Sequence, residues 1–256
     1  MSTHRGRIAL VTGAGRGIGR AMADALADAG AAVVFLDHDA SLAQAAADAA
    51  QQRGAVAVSL AADVADFDAY AAALEVARRE LGPVDILVNN AGISPKTGVE
   101  GRRADVWTMP PEEWRRVLDV NLTGAFNGVR LLAPSMVARR WGRIVSTSSV
   151  AGRTYCDIVG VHYAASKAAL IGFTKHLAGE LGPHAITVNA LAPGRIDTPL
   201  MRGSAPEANE AARLATPLRR LGTPDDVAQT CLFLTSPAAA FVTGQVVDVA
   251  GGWLMT

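Results

Sequence analysis

Tyr163 and Lys167 stand four residues apart in the stretch 162–170, HYAASKAAL. The alanine-rich run predicts a helix, and i, i+4 spacing puts both side chains on one face, one turn apart. A phenol beside an ammonium has its anion stabilised. Its pKa then moves down from about 10 toward the working range of a general acid or base. The chain holds three tyrosines, Tyr70, Tyr155 and Tyr163, and only Tyr163 has a lysine four residues on. The pair alone also fits a solvated helix face, so its meaning depends on the rest of the chain.

A second constellation is the glycine-rich run 12–19, TGAGRGIG. Gly13, Gly17 and Gly19 let backbone approach a phosphate closely, and Arg16 and Ile18 sit between them. A strand before and a helix after would aim free N–H groups and a positive dipole end at that phosphate. The competing reading is a turn that serves only strand-to-helix packing. The next strand, Val33–Leu36, ends at Asp37. A carboxylate there accepts hydrogen bonds from both adenosine ribose hydroxyls and repels a 2′-phosphate, which favours NAD over NADP. Asp37 also suits a helix N-cap, and Arg16 is the one nearby group that would welcome a phosphate.

These residues need a scaffold, and the hydrophobic pattern supplies one. Short apolar runs predict strands at Ile8–Val11, Ala32–Leu36, Ala55–Leu60, Asp85–Val88, Arg143–Ser146, Ile186–Leu191 and Gln245–Val249. Helical stretches fall between them at 17–29, 41–53, 67–81, 111–140 and 161–181. Alternation of this kind predicts an α/β, doubly wound fold. We expect a parallel seven-stranded sheet with helices on both faces, as one domain over residues 1–256. Two irregular segments, at about 93–109 and 195–216, are too long for plain connectors, and the second has room for a short helix. They are expected to cover the strand ends and to shape a substrate site.

The bulk numbers exclude other classes. Half of the 256 residues are apolar and the formal net charge is zero. No block of about five like charges occurs, which argues against a nucleic-acid partner or a polybasic membrane patch. No apolar run reaches the roughly 18 residues that span a bilayer, and no secretory pattern opens the chain. Cys156 and Cys231 cannot build a disulfide framework and fit a cytoplasmic setting. The five histidines show no ligand spacing with cysteines or carboxylates, so no metal is expected.

The glycine run, Asp63-Val64, Asn89-Asn90-Ala91-Gly92, Asn121, Ser148-Ser149, Tyr163/Lys167, Pro193-Gly194, Thr243-Gly244-Gln245 and Gly251-Gly252 occur in an order that resembles the short-chain dehydrogenase/reductase family. The resemblance implies a single Rossmann-like domain and hydride transfer between a nicotinamide cofactor and an alcohol or carbonyl. It implies that Tyr163 is the general acid/base and that Lys167 lowers its pKa and holds the nicotinamide ribose. Ser149 would orient the substrate oxygen, with Ser146 and Ser148 as competitors. Asn121 would kink its helix and hold a proton-relaying water, or simply bond to backbone inside the helix. Asp63 and Val64 would meet the adenine edge, Asp63 having a loop cap as its other reading. Asn90, Ala91 and Gly92 would line the adenosine side. Pro193, Gly194, Ile196 and Thr198 would orient the carboxamide. A homotetramer of D₂ symmetry would use the long helices and the last strand with Trp253.

The substrate lies with the loops. Lys96, Arg102 and Arg103 would attract an anion, or are a solvated basic loop. Trp107, Met109 and Trp114 would form an apolar wall or packing. Tyr155, Cys156 and His162 read as pocket wall or core. The preferred expectation is NAD-dependent oxidation of a small polar secondary alcohol: a polyol, sugar or hydroxy acid. The alternative is a 3-oxoacyl reductase acting on carrier-protein or CoA thioesters. Arg139 and Arg140 suit an acidic carrier, whereas Gly179 stands where arginine would help. A non-enzymatic nucleotide-binding scaffold is disfavoured because Tyr163 and Lys167 are both present.

Overall fold

Seven short apolar segments pair side by side in parallel: β1 (Ile8–Thr12), β2 (Ala32–Asp37), β3 (Ala57–Ala61), β4 (Ile86–Asn89), β5 (Gly142–Thr147), β6 (Ile186–Pro193) and β7 (Val246–Val249). Their order across the sheet is β3-β2-β1-β4-β5-β6-β7. The structure is a computed structural model and describes residues 3–98, 102–198 and 206–255. Residues 99–101 and 199–205 of the two expected substrate loops lie outside the described residues.

Period-two alternation explains why both faces of the sheet are covered. Ala9 and Val11 of β1, Val33 and Phe35 of β2 and Ile86 and Val88 of β4 point to one side. Leu10, Val34, Leu36 and Leu87 point to the other. Helices α1 (Gly17–Asp28), α2 (Ala40–Gln52) and α8 (Pro224–Thr235) fill the first side through Met22, Leu26, Ala46 and Val227. Helices α3 (Phe67–Glu80), α5 (Gly124–Arg139) and α6 (Val161–Leu181) fill the second through Tyr70, Val129 and Leu177. With α4 (Pro111–Leu118) and α7 (Pro206–Ala215) these complete the α-helices of the described residues. No helix among them is long and apolar enough to cross a membrane.

Two elements differ from expectation. The helix expected over 111–140 is interrupted after α4 by a π-helical turn, Asp119–Thr123, before α5 begins. The extra residue of that turn carries Asn121, whose side chain leaves the helix to bond elsewhere. Helix α8 was not expected at all. Its start signal was present in Thr223-Pro224-Asp225-Asp226. Thr223 Oγ1 accepts from the Asp226 amide, and Asp226 accepts from the Thr223 amide, a capping box with proline at the first turn. Arg220 grips the same carboxylate and holds its pKa far below the usual range.

Candidate active site

The strand order reverses between β1 and β4, and ligands of such sheets bind in the crevice outside the strand ends at that point. The loop after β1 carries the glycine run, and the loop after β4 carries Asn90-Ala91-Gly92. Asn90 Nδ2 donates to the Thr12 and Gly13 carbonyls at 3.0 and 3.3 Å. Thr12 Oγ1 in turn accepts from the Asn90 and Ala91 amides. Gly13 and Gly17 take positive φ, 64° and 59°. A Cβ on Gly19 would stand 2.1 Å from the Gly13 oxygen, so only glycine lets α1 begin so close to the strand end. Arg16 is the N-cap of α1 but makes no side-chain cap bond, and the first turn holds no acid, leaving its N–H groups to face an anion.

A cleft of about 270 Å³ opens over this turn. Gly13, Arg16, Gly17, Ile18, Gly19, Asp37, Asp63, Val64, Asn90, Ala91, Gly92, Tyr163, Lys167 and Thr198 all line it. Asp37 is buried at the end of β2. Its carboxylate accepts from the Gly15 amide at 2.9 Å and the Asp39 amide at 3.2 Å, and pairs with His38. Those bonds fix its aim while lone pairs remain for further donors. The N-cap of α2 is Asp39, so the capping alternative for Asp37 falls to its neighbour. Asp63 realises its loop-cap reading, Oδ1 accepting from the Ala65 amide, and the residue also lines the cleft. Burial works against its charge, but the Ala65 amide and the Arg116 guanidinium, 2.7 Å from Oδ2, outweigh it and hold the carboxyl low. Anion-receptive turn, glycine-walled floor and carboxylates at the far end together fit a dinucleotide.

A second cavity, of about 420 Å³, lies beside the first. Ile18, Thr147, Tyr163 and Thr198 line both, which puts the Tyr163 phenol at their junction. Ser149 lines the second cavity and shares a hydrogen bond with Tyr163. It also caps the short 3₁₀ turn Val150–Gly152 by accepting from the Ala151 amide at 3.1 Å. A Cβ on Gly152 would meet the Lys167 backbone at 2.6 Å, so glycine here lets the turn press on α6 and carry Ser149 to the tyrosine. The competing serines are otherwise engaged. Ser148 donates to the Lys167 carbonyl at 2.7 Å, and Ser146 is buried within β5.

The expected effect of Lys167 on Tyr163 is corrected by the geometry. The ammonium lies 5.5 Å from the centre of the phenol ring and donates to the Thr147 carbonyl at 2.7 Å. Burial, opposed by the Ser149 hydrogen bond and aided by Cys156, raises the Tyr163 pKa above its ordinary value. Burial also lowers Lys167 to about 8. Both groups are pushed toward neutrality because both charges lose water.

Asn121 Nδ2 donates to the Ile93 carbonyl at 3.1 Å and to Ser166 Oγ at 3.0 Å, and its Oδ1 accepts from the Ile93 amide at 2.8 Å. The backbone-bonding alternative is thus realised, across from the π turn to the loop after β4. A Cβ on Gly92 would lie 3.3 Å from both Asn121 Oδ1 and Lys167 Nζ, so these two polar ends converge on one glycine.

Pro193, Gly194, Ile196 and Thr198 line the second cavity, together with Lys96 and Cys156. Several other expectations fail. Tyr155 and Trp107 are 78% and 79% exposed, so neither is core or pocket wall. Met109 and Trp114 do not line the cavity either, and Trp253 does. His162 is core: its Nδ1 accepts from the Tyr163 amide and its Nε2 meets Glu113 at 2.8 Å. Arg139 binds Asp85 and the Val84 carbonyl, and Arg140 the Pro183 carbonyl, all at the end of the sheet away from the crevice. They cannot greet a carrier at the pocket mouth. The sequence reading also missed the inner face of α7, where Ala208, Ala211, Ala212 and Ala215 line the cavity. Their i, i+3, i+4, i+7 spacing was the available signal. Thr147 and Arg195 were missed as well, although Arg195 directly follows Pro193-Gly194.

Comparisons with known proteins agree with this geometry. A family profile described as enoyl-(acyl carrier protein) reductase matches residues 13–254. The chain is 40% identical over 249 residues to the 3-oxoacyl-[acyl-carrier-protein] reductase FabG of Aquifex aeolicus, covering 97% of each. It is 52% identical, with a TM-score of 0.96, to the crystal structure of a 3-oxoacyl-[acyl-carrier protein] reductase from Brucella melitensis, covering 100% of this chain and 94% of that one. A second structure from Brucella melitensis, a 3-oxoacyl-[acyl-carrier protein] reductase with bound NAD, is 51% identical with a TM-score of 0.93, covering 100% of this chain and 94% of that one. The chain belongs to the short-chain dehydrogenase/reductase family of Rossmann-fold oxidoreductases.

Proposed function

We propose that the protein reduces the 3-oxo group of an acyl thioester, with NADH as the electron donor. The carrying observation is the half-buried Tyr163 phenol, hydrogen-bonded to Ser149 and facing a largely apolar cavity. Val150, Ile158, Val159 and the alanine face of α7 wall that cavity, which suits an acyl chain better than a polyol or sugar. The names of the relatives support the same reading over the polyol expectation. A phenol whose pKa burial has raised keeps its proton at neutral pH, and so stands ready as a donor to a carbonyl oxygen.

A reduced nicotinamide held in the cleft would supply the hydride to the carbonyl carbon. Tyr163 passes its hydroxyl proton to the oxygen as charge builds there. Ser149, fixed by the Ala151 amide, donates a hydrogen bond that orients that oxygen. Lys167 keeps a positive group under the phenol ring, and Thr147 sets its position. Gly13 to Gly19 would receive the pyrophosphate and Asp37 the adenosine ribose, with Asp63 and Val64 at the adenine. Exposed Phe126 on α5 and Phe233 on α8 support an oligomer, for which a homotetramer is our reading.

The test is loss of reduced-nicotinamide absorbance with 3-oxoacyl pantetheine thioesters, sugars and polyols, using both dinucleotides. Turnover of the thioesters with NADH, and not of the sugars, is expected; the reverse order would refute the assignment. Asp37→Ser removes the charge that repels a 2′-phosphate. The ratio of NADPH to NADH efficiency should then rise about tenfold or more, as one charge contact is worth at least 1.4 kcal/mol here. An unchanged ratio would remove Asp37 from the ribose site.

A further inference from the structure

Arg195 follows the turn at the end of β6 and lines the same cavity as Ser149 and Tyr163. Its Nε and Nη2 donate to Asn209 Oδ1 on α7, at 3.3 and 2.7 Å. Asn209 is a neutral amide, so it holds the guanidinium fork in place without cancelling its charge. Burial costs this cation hydration and lowers its pKa, a cost that Cys156 and Asp157 only partly offset. Cys156 stays a neutral thiol, because burial pushes it up, and Asp157 is exposed to solvent. Among the described residues no carboxylate forms an ion pair with Arg195. Lys96 brings a second cation to the same cavity. A half-buried guanidinium held by a neutral partner, in a cavity where Asp157 is the one carboxylate among the lining residues and forms no ion pair with it, is arranged to receive a planar anion.

We propose that Arg195 binds a carboxylate of the substrate beside Tyr163, so that the site selects 3-oxo compounds carrying negative charge. This rests on the 3-oxo reduction read above and adds the charge of its substrate. The carboxylate has two possible sources: the acid group of a free 3-oxo acid, or a carboxylate at the far end of a thioester's acyl chain.

Two probe pairs, each differing by one charge, separate these sources. The first is acetoacetate against methyl acetoacetate. The second is two 3-oxoacyl pantetheine thioesters of equal length, one ending in methyl and one in carboxylate. Wild-type protein should prefer the charged member of one pair by tenfold or more in kcat/KM, and salt should weaken that preference. Arg195→Met should cut the preference about ten- to a hundredfold, and Arg195→Lys should keep part of it. Arg140→Met, at the far end of the sheet, should leave it as in wild type. Equal use of both members in both pairs, or a preference that Arg195→Met does not move, overturns the proposal. Calorimetric binding of the charged probes to protein loaded with NAD reads the anion site without turnover. Tighter binding by wild type than by Arg195→Met supports the proposal even if no probe is reduced, in which case only the reductase reading fails. Equal binding overturns it.

Discussion

Tyr163→Phe is expected to lower kcat for reduction by about 10²–10⁴-fold, the usual worth of a positioned proton donor. Phenylalanine keeps the ring and so the packing between the two cavities. What is lost is the hydroxyl at their junction and its hydrogen bond with Ser149. That bond is worth on the order of 1 kcal/mol, too little to unfold the chain. Dinucleotide affinity, read by quenching of protein fluorescence, should change little, because the glycine turn and Asp37 are remote from the hydroxyl. The pH profile adds a second reading. Burial raises the phenol's pKa, so its proton is fully present at neutral pH and is lost only at alkaline pH, above its ordinary value. Reduction by the wild type should therefore hold across neutral pH and decline on the alkaline side. A variant with turnover within tenfold of wild type would remove Tyr163 from proton transfer.

The sequence made the scaffold legible because its strongest signals are local. Strand alternation and the glycine turn need no tertiary information: Gly13, Gly17 and Gly19 announce a tight strand-to-helix turn by type and spacing alone. Most of the residues expected at the dinucleotide line one cleft, because most of its walls lie just after a strand, with Tyr163 and Lys167 added from α6. What was illegible is tertiary. By periodicity helix 111–140 reads as continuous, and only the family resemblance puts a kink at Asn121; nothing local says that its amide will turn toward Ile93. The Tyr163/Lys167 spacing correctly places both side chains on one helix face. It cannot report that Thr147, twenty residues away, takes the ammonium's hydrogen bond. The sign of the phenol's pKa shift was misjudged for that reason: pairing was inferred from spacing, and burial decided the outcome.

The substrate side failed for a related reason. Aromatic residues in a loop look like a pocket wall, but Trp107 faces solvent, while the wall is built from alanines of α7 and from Trp253 at the far end of the chain. An alanine face advertises no chemistry. Its function is room, and room becomes visible only once the opposite wall is in place.

Lys167→Met should make the protein more stable and nearly inactive. Lys167 is 3% exposed, and burial has moved its pKa from 10.5 to about 8. At about 1.36 kcal/mol per unit, keeping it charged at pH 7 costs roughly 3 kcal/mol of folding free energy. Methionine has similar length and no charge to desolvate. It forfeits the bond to the Thr147 carbonyl, on the order of 1 kcal/mol. A net gain of roughly 2 kcal/mol corresponds to a rise in Tm of about 4–8 °C for a chain of this size. The pH dependence identifies the cause. Below about 8 the folded and unfolded lysines are both charged, and the penalty is complete. From about 8 toward 10.5 the unfolded state binds more protons, so wild-type stability rises with pH while the variant's does not. Cys231, pushed up to about 12, acts in the opposite sense above its ordinary value of 9.0, which leaves pH 8 to 9 as the clean window. Urea midpoints at pH 7 and pH 9 should show the variant's advantage shrinking by on the order of 1 kcal/mol. A variant less stable than wild type at pH 7, or an advantage unaffected by pH, would mean that the buried ammonium is not a cost. If the advantage appears together with lost turnover, the charge under Tyr163 is retained for catalysis against the interest of the fold.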